Sequence, residues 1–185
     1  MKVIKYPAKE EWSEIVKRPH LDVSKLNATV QGVLDDVKKH GDEAVKRYEE
    51  MFDHAHLDSL AVTEAEIEEA EQLVSQELKD ALHLAHHNIA AFHQSQKFEG
   101  EKVETCPGVT CWQKSVAIQK VGLYIPGGTA PLFSTVLMLA TPAKIAGCGE
   151  IVMVTPPGRD GKVNPVILAA AKIAGVDRIF KVGGA

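Results

Sequence analysis

The stretch over residues 121–157 constrains the fold of this chain more than any other part of the sequence. It opens with a short apolar run at 121–125, which ends at a Pro-Gly-Gly turn, and it closes with a β-rich run at 151–155. An apolar helix candidate lies between the two runs. A strand, a glycine turn, a helix and a second strand form the unit of open parallel α/β sheets. Ligands of such sheets bind at the carboxyl ends of the strands, where this turn lies.

The turn carries residue types that suit a ligand. Gly127 and Gly128 have no β-carbon, so backbone N–H groups can approach a bound molecule closely. Thr129 and Ser134 place hydroxyls near the start of the helix candidate, where free N–H groups and the helix dipole favour an anion. Tyr124, just before the turn, can stack on a flat ring and hydrogen-bond through its hydroxyl. The competing interpretation is that the glycines only make a tight turn and that Tyr124 packs in the core.

Composition narrows the classes of partner. The net charge of −4 leaves no basic footprint, which argues against nucleic acid. No apolar run reaches the ~18 residues of a membrane span, and the first residues do not resemble a signal peptide. The three cysteines form no C-x-x-C pair, which favours free thiols in a reducing compartment. We therefore expect a cytoplasmic protein that binds neither nucleic acid nor membranes.

Residues 1–97 are predicted to form a helical N-terminal region. Apolar periodicity indicates helices over 10–17, 26–40, 42–52, 63–74 and 77–96. Asp42 is expected to cap the third helix, and the Thr63-Glu64-Ala65-Glu66 run is a capping box for the fourth. This helical arm packs either on its own core or on a second subunit.

Two groups of histidines raise the question of a metal. Asp53, His54 and His56 are interpreted as a solvated loop, because no matching ligand pair follows at the spacing of a zinc site. His83 and His87 are four residues apart on one helix face, but the glutamate of an H-E-x-x-H motif is missing. We therefore predict no metal ligands in this chain.

The remainder alternates between strands and helices. Residues 98–120 are predicted to form an antiparallel β-ribbon or linker that includes Val116, Ala117 and Ile118. Residues 121–185 are predicted to form a partial Rossmann-like α/β domain, with a second helix that begins after Asn164 and ends at Gly175, and a strand over 178–182. The sequence ends directly after that strand, so we expect an incomplete parallel sheet and a truncated domain.

Residue identities add a resemblance to this pattern. The central run GLYIPGGTAPLFSTVLMLATPAKIAGC resembles the G-x-Y-x-P-G-G-x-A-x-x-x-S-T-V-L-M segment of histidinol dehydrogenases. Further matches extend the likeness from about residue 41 to the end of the chain; they are Gly41-Asp42-Glu43-Ala44, Tyr48, Phe52-Asp53, Asn88-Ile89, Phe92-His93, Gln96, Pro107-Gly108-Val109, Val163-Asn164-Pro165 and Gly183-Gly184-Ala185.

The resemblance implies a function. Histidinol dehydrogenases oxidise L-histidinol to L-histidine, in histidine biosynthesis, with NAD and a bound zinc, and they act as homodimers. By this likeness Tyr124 contacts NAD, the Pro126-Gly127-Gly128-Thr129 turn lies beside that cofactor, and Ser134 approaches the substrate. The family's catalytic Glu-His pair and its zinc ligands belong to segments C-terminal to Ala185, so we expect the chain alone to be inactive.

Two interpretations of other classes stay open. The turn could serve a non-catalytic nucleotide- or phosphate-binding module, which would bind an anion without redox or metal dependence. Alternatively, residues 1–97 could mainly supply subunit contacts, which would make the chain a dimerisation domain with the α/β part as its scaffold.

Overall fold

The computed structural model describes residues 3–18, 24–127 and 131–184. A 3-10 turn at Lys9–Glu11 precedes the first helix, and a π-helical turn at Glu49–Asp53 follows the third. The helices are α1 Trp12–Ile15, α2 Ser24–His40, α3 Asp42–Tyr48, α4 Glu64–Leu73, α5 Gln76–Gln94, α6 Phe133–Ala146 and α7 Pro165–Ala174. The strands are β1 Lys102–Cys106, β2 Val109–Trp112, β3 Lys120–Tyr124, β4 Glu150–Thr155 and β5 Arg178–Lys181.

The centre of the fold is a parallel three-stranded sheet in the order β3-β4-β5. Tyr124 lies opposite Val154, and Thr155 lies opposite Lys181, so the three strands end at nearly the same level. Two hydrogen bonds continue the pairing past the strand ends, from the N–H of Ile125 to Val154 and from the N–H of Val182 to Thr155. The predicted α/β class with a Rossmann-like parallel sheet is confirmed.

One face of the sheet carries the main hydrophobic core. Helices α6 and α7 pack on each other, and α4 and α5 pack against them. Ile125, Met153 and Leu137 are fully buried in this core, together with Leu82 of α5. The helical N-terminal region therefore contributes two helices to the core of the α/β part. The division at residues 97 and 120 stays a prediction.

The second face of the sheet is covered more thinly. Side chains alternate across a strand, so Phe180 lies on the face opposite Ile179. Phe180 packs against a small cluster formed by Ala55, Leu57 and Leu60. The segment that carries this cluster also pairs with β5, because the N–H of Lys181 donates to Leu60 at 2.7 Å. The outer edge of β5 is thereby covered, which protects it from pairing with another chain.

Several helix ends follow the predicted local signals. The Thr63 hydroxyl accepts the N–H of Glu66, and the Glu66 carboxylate accepts the N–H of Thr63 at 2.8 Å, which completes the capping box of α4. The Asn164 side chain accepts the N–H of Val166 at 2.9 Å, directly before Pro165 at the start of α7. Gly175 ends α7 in the left-handed region with φ 73°.

Four predicted features are wrong in detail. Gly41, with φ 58°, is the N-cap of α3 in place of Asp42, and no side chain caps this end. The first helix shortens to a 3-10 turn and a single α-turn, and none of its residues is buried against the rest of the structure. Val116 and Ile118 are exposed and form no strand, because no partner strand lies beside them in the described ribbon.

The fourth correction concerns Asp53. The helical run does not stop at Phe52; it continues as the π-helical turn through Asp53, and His54 then takes the left-handed conformation with φ 55°. Tyr48 and Phe52 stack across this turn, with ring centroids 5.6 Å apart. Asp53 is therefore half-buried at the end of a helix, while His54 and His56 are exposed as expected of a loop.

The thiols and the N-terminal helices complete the description. Cys106 and Cys111 are free and exposed; they are not opposite each other, since Cys111 pairs with Val103 in the β1–β2 ribbon. None of the described helices combines the length and apolar character that a bilayer span needs.

Helix α2 leaves Leu26, Val30 and Leu34 exposed on one face.

Two leucines of α5 provide a test of the core. Leu82 is 2% exposed and Leu84 is 62% exposed, although both stand on the same helix. Leu82→Ala should lower the free energy of unfolding by about 2–5 kcal/mol, because it removes buried methyl groups and leaves a cavity. The matched variant Leu84→Ala should change that free energy by less than ~0.5 kcal/mol. Urea denaturation followed by circular dichroism measures both; equal losses would contradict the packing described here.

Candidate functional site

A cleft of about 820 Å³ lies at the carboxyl ends of the parallel strands. Tyr124 and Pro126 line it from the end of β3, Thr155 and Pro156 from the end of β4, and Gly184 from the segment after β5. The far wall comes from the helices, with Ala70, Leu73, Ile167 and Leu168 as its apolar lining. This position is where ligands bind in open parallel α/β sheets.

Tyr124 stands at the mouth of the cleft. It is 50% exposed, whereas the next residue, Ile125, is completely buried in the core. The alternation of side chains along β3 explains the contrast, because Leu123 and Ile125 point toward the helices and Tyr124 points away from them. The ring is therefore not part of the buried core, and its face is available to a flat ligand.

The segment after Tyr124 needs a glycine for a steric reason. A β-carbon added to Gly127 would fall well inside van der Waals contact with the Pro156 ring. Pro156 is also close on its other side, where a β-carbon on Gly183 would lie 3.0 Å from Pro156 Cβ. Pro156 thus fills the space between the two turns that follow the outer strands. Glycine at both positions lets the three strand ends come together around the cleft.

The remaining residues predicted for the site divide into two groups. Gly128 and Thr129 lie outside the described residues, as does Ala185. Ser134 is the second residue of α6 and is exposed, but it does not line the cleft. Leu132 is the N-cap of α6, without a side-chain cap, and it lines the cleft with Pro131. The start of α6 therefore faces the cleft, while Ser134 points elsewhere.

Charged groups on the helical side of the cleft are paired. Lys162 is the one cation lining the described part of the cleft, and its Nζ donates to Glu69 at 2.8 Å. This hydrogen bond raises the pKa of Lys162. Glu66 contacts Lys181 at 2.5 Å. Burial acts to raise the pKa of Glu66, but hydrogen bonds from Lys181 and Thr63 outweigh it and hold this pKa below its usual value. No cation in the described cleft is left for a free phosphate.

Sequence reasoning missed one acidic group at the cleft. Asp53 lines it beside Gly184, and its Oδ2 atom is buried without a hydrogen-bond partner. Glu49, one turn earlier, is fully buried and accepts the N–H of Gly183 at 2.7 Å. Both carboxyl groups therefore converge on the turn that follows β5. The Phe-Asp motif marked Asp53 in the sequence, but only the fold shows what it touches.

The histidines gather no metal site in the described part of the chain. No group of three or more His, Cys, Asp or Glu residues with a suitable arrangement occurs there. His83 and His87 are exposed on α5, and His93 is hydrogen-bonded to Gln96 at 2.8 Å. The donors needed for a tetrahedral zinc site do not come together in these residues.

The glycine that contacts Pro156 provides a test of the cleft's geometry. Gly127→Ala should lower the free energy of unfolding by about 1–3 kcal/mol, because the added methyl group has to displace the Pro156 ring. Gly122→Ala is the matched control, since Gly122 stands in β3 with nothing within 4 Å of an added β-carbon. Denaturant titration compares the two variants, and an equally stable Gly127→Ala protein would contradict the close approach.

Comparison with known proteins agrees with this geometry. A family profile described as "Histidinol dehydrogenase" matches residues 16–185. Histidinol dehydrogenase of Bacteroides fragilis is 63% identical over 184 residues, which is 100% of this chain and 43% of the relative. Histidinol dehydrogenase of Escherichia coli K12 is 46% identical over 177 residues, or 95% of this chain and 40% of the relative.

A solved structure is similar as well. The crystal structure of histidinol dehydrogenase from Elizabethkingia anophelis matches with a TM-score of 0.91 and 44% sequence identity, over 96% of this chain and 41% of that chain. The chain spans about two fifths of the length of these relatives. The profile match, the identities and the shared fold all cover the residues that form the cleft, and so the chain belongs to the histidinol dehydrogenase family.

Proposed function

We propose that this chain is the N-terminal part of an NAD-dependent, zinc-containing dehydrogenase that oxidises L-histidinol to L-histidine in histidine biosynthesis. The observation that carries the proposal is the position of Tyr124 and Gly127 at the carboxyl ends of parallel strands, on a cleft large enough for part of a dinucleotide. Family membership supports the reaction, and this cleft supports the cofactor.

The described residues fit NAD. The exposed Tyr124 ring can stack on a flat heterocycle, and its hydroxyl is available for a hydrogen bond. Gly127 lets the backbone come close to the ligand, with Pro126 beside it on the cleft wall. Gly128 and Thr129 follow directly in the chain and remain proposed cofactor contacts. When bound, NAD accepts a hydride, and these residues would hold and orient it.

The proposed substrate contact and the zinc site rest on the family resemblance, whereas the cofactor site also rests on the cleft. Ser134 remains a proposed substrate contact, although it does not line the described cleft. The described residues do not fit a zinc site, since no suitable donor group gathers among them. We therefore assign the zinc ligands and the catalytic Glu-His pair to segments outside this chain, as the family resemblance implies, and derive no step through the metal.

An alcohol-to-acid oxidation needs a base, a hydride acceptor and an activated water. We propose that the 185-residue chain supplies only part of the cofactor site and has no dehydrogenase activity alone. An assay of NADH formation from histidinol and NAD, with the purified chain as the sole protein, checks this. Turnover above a buffer blank would contradict the proposal.

A homodimer and a cytoplasmic location are part of the proposal. The exposed apolar face of α2, with Leu26, Val30 and Leu34, favours a role of the helical arm in subunit contacts. Such a face is typical of a surface that another chain covers. The free cysteines and the role in amino-acid biosynthesis support the cytoplasm. Sedimentation equilibrium tests the dimer; a monomer at every protein concentration would argue against this role of the arm.

The cofactor assignment has its test at Tyr124. In the full-length protein, Tyr124→Ala should weaken NAD binding more than zinc binding. The loss of NAD affinity should be about five-fold, because loss of one stacked ring costs ~1 kcal/mol. Tyr124→Phe should retain most of the affinity if stacking dominates over the hydroxyl. Tyr6→Ala is the control, since Tyr6 is also exposed but does not line the cleft. Isothermal titration measures each affinity, and unchanged binding by Tyr124→Ala would exclude Tyr124 as a cofactor contact.

A further inference from the structure

Two carboxyl groups outside the predicted site, the fully buried Glu49 and the half-buried Asp53, meet at the turn after β5. Glu49 and Asp53 are four residues apart on the π-helical turn, so both point toward the same side. Glu49 is fully buried, and its Oε1 accepts the N–H of Gly183 at 2.7 Å. Asp53 Oδ2 lies against the α-carbon of the same glycine, where no β-carbon would fit. The pair therefore holds Gly183 from two directions.

If both carboxyl groups are ionised, each has a buried oxygen that receives no hydrogen bond. Glu49 Oε2 and Asp53 Oδ2 are both buried, and neither has a partner as an acceptor. The two carboxyl groups are within hydrogen-bonding reach of each other. Two ionised carboxylates at this distance repel each other and leave both oxygens unsatisfied. A single proton on the pair turns one carboxyl oxygen into a donor, which removes the repulsion and gives the other carboxyl group a hydrogen-bond partner.

The cations on neighbouring elements do not neutralise the Glu49–Asp53 pair. The cations on neighbouring elements have carboxylate partners of their own: Lys181 with Glu66, Lys46 with Glu43, and Arg47 with Asp36. His54 and His56 are exposed in the segment that follows. Burial raises the pKa of Glu49 above its usual value, the N–H of Gly183 opposes this, and the charge of Asp53 adds to the rise. Glu49 is thus the member of the pair that favours the proton.

We propose that Glu49 and Asp53 share one proton and act as the positioning pair for the Gly183–Gly184 turn, which forms one wall of the cleft. Neither residue is assigned a chemical step. The pair fixes where the backbone after β5 lies, and Gly184 then lines the cleft beside Asp53. The consequence for cofactor binding rests on the function proposed above, whereas the shared proton and the held turn do not.

The sign of the pH dependence follows from this arrangement. A carboxyl whose pKa is higher in the folded state than in the unfolded chain binds more protons when folded. The stability that Glu49 contributes is therefore fully present below its ordinary pKa of 4.5 and is lost as the pH rises through the higher folded value. The hydrogen bond from the Gly183 N–H to Glu49 persists, but repulsion between two ionised carboxylates then loosens the turn.

The decisive variant is Glu49→Gln. The amide keeps an oxygen for the N–H of Gly183 and donates its own N–H to Asp53, so it mimics the protonated acid without titrating. Its free energy of unfolding should lack the fall with rising pH that the parent chain shows above about pH 4.5. Glu50→Gln is the matched control, because Glu50 is the exposed neighbour and should follow the parent curve.

A second measurement follows the turn itself. In nuclear magnetic resonance of the full chain, the Gly183 amide signal should shift as the pH is raised above the ordinary range of a glutamate. This shift should disappear in Glu49→Gln and persist in Glu50→Gln. Asp53→Asn should move the midpoint to lower pH, because it removes the negative charge that raises the pKa of Glu49. Parallel stability curves and a Gly183 signal that does not titrate would overturn the proposal.

Cofactor titration separates this inference from the proposed function. In the full-length protein, NAD affinity should fall relative to that of Glu49→Gln as the pH rises, if the turn forms a wall of the cofactor site. Failure of the full-length protein to bind NAD at any pH would count against the proposed function, while the two ligand-free measurements would still decide the pair. NAD binding with pH-independent stability would support the function and reject the shared proton.

Discussion

The contact of Pro156 with the two flanking turns determines the shape of the cleft. β4 is the central strand of the parallel sheet, so the residue that follows it has a neighbour on both sides. The proline ring occupies the space that a side chain at Gly127 or Gly183 would need. Because the strands are in register to their last residues, the three turns stand side by side. The cleft is the gap that opens in front of them, and a β-carbon on either outer turn would press against the proline ring.

The chemistry of the cleft lining supports the proposed dinucleotide over a free anion. One wall is apolar, with Leu73, Ile167 and Leu168 among its residues, and Tyr124 adds an aromatic ring at the mouth. Lys162, on the same helical side, is paired with Glu69. A simple phosphate would find no unpaired cation in the described cleft, and it would leave the apolar wall unused. A ligand with flat rings and a few polar groups matches this lining, as in most small-molecule sites.

Local sequence signals predicted what local interactions determine. The capping box at Thr63 and the Asn164-Pro165 start of α7 depend on contacts over two or three residues, and both occur as predicted. The strand-turn-helix-strand unit is also predictable from sequence, because its pattern of apolar residues lies within residues 121–157. The position of Tyr124 beside a turn could be read from the sequence, but its exposure depends on which face of the sheet the helices cover.

The errors concern contacts between distant parts of the chain. The sequence predicts a loop at Asp53, yet its carboxyl group lies against a glycine near the other end of the chain. The sequence of residues 49–53 does not predict a contact with Gly183, because Glu49 and Gly183 are 134 residues apart. Val116 and Ile118 had the composition of a strand but no partner, and a strand without a partner does not form.

The Glu49–Asp53 pair fixes the position of the turn after β5. Burying an acid is unfavourable, and two acids are worse, so apolar residues in their place would cost less if stability alone mattered. The carboxyl pair positions the backbone. The Glu49 oxygen accepts the N–H of Gly183 and so fixes a turn that has no side chain to hold it. Gly183 has Pro156 on one side and Asp53 on the other, and Glu49 takes its only backbone donor. A glycine turn that would otherwise be free to move is thereby fixed before any ligand arrives, which reduces the entropy lost on binding.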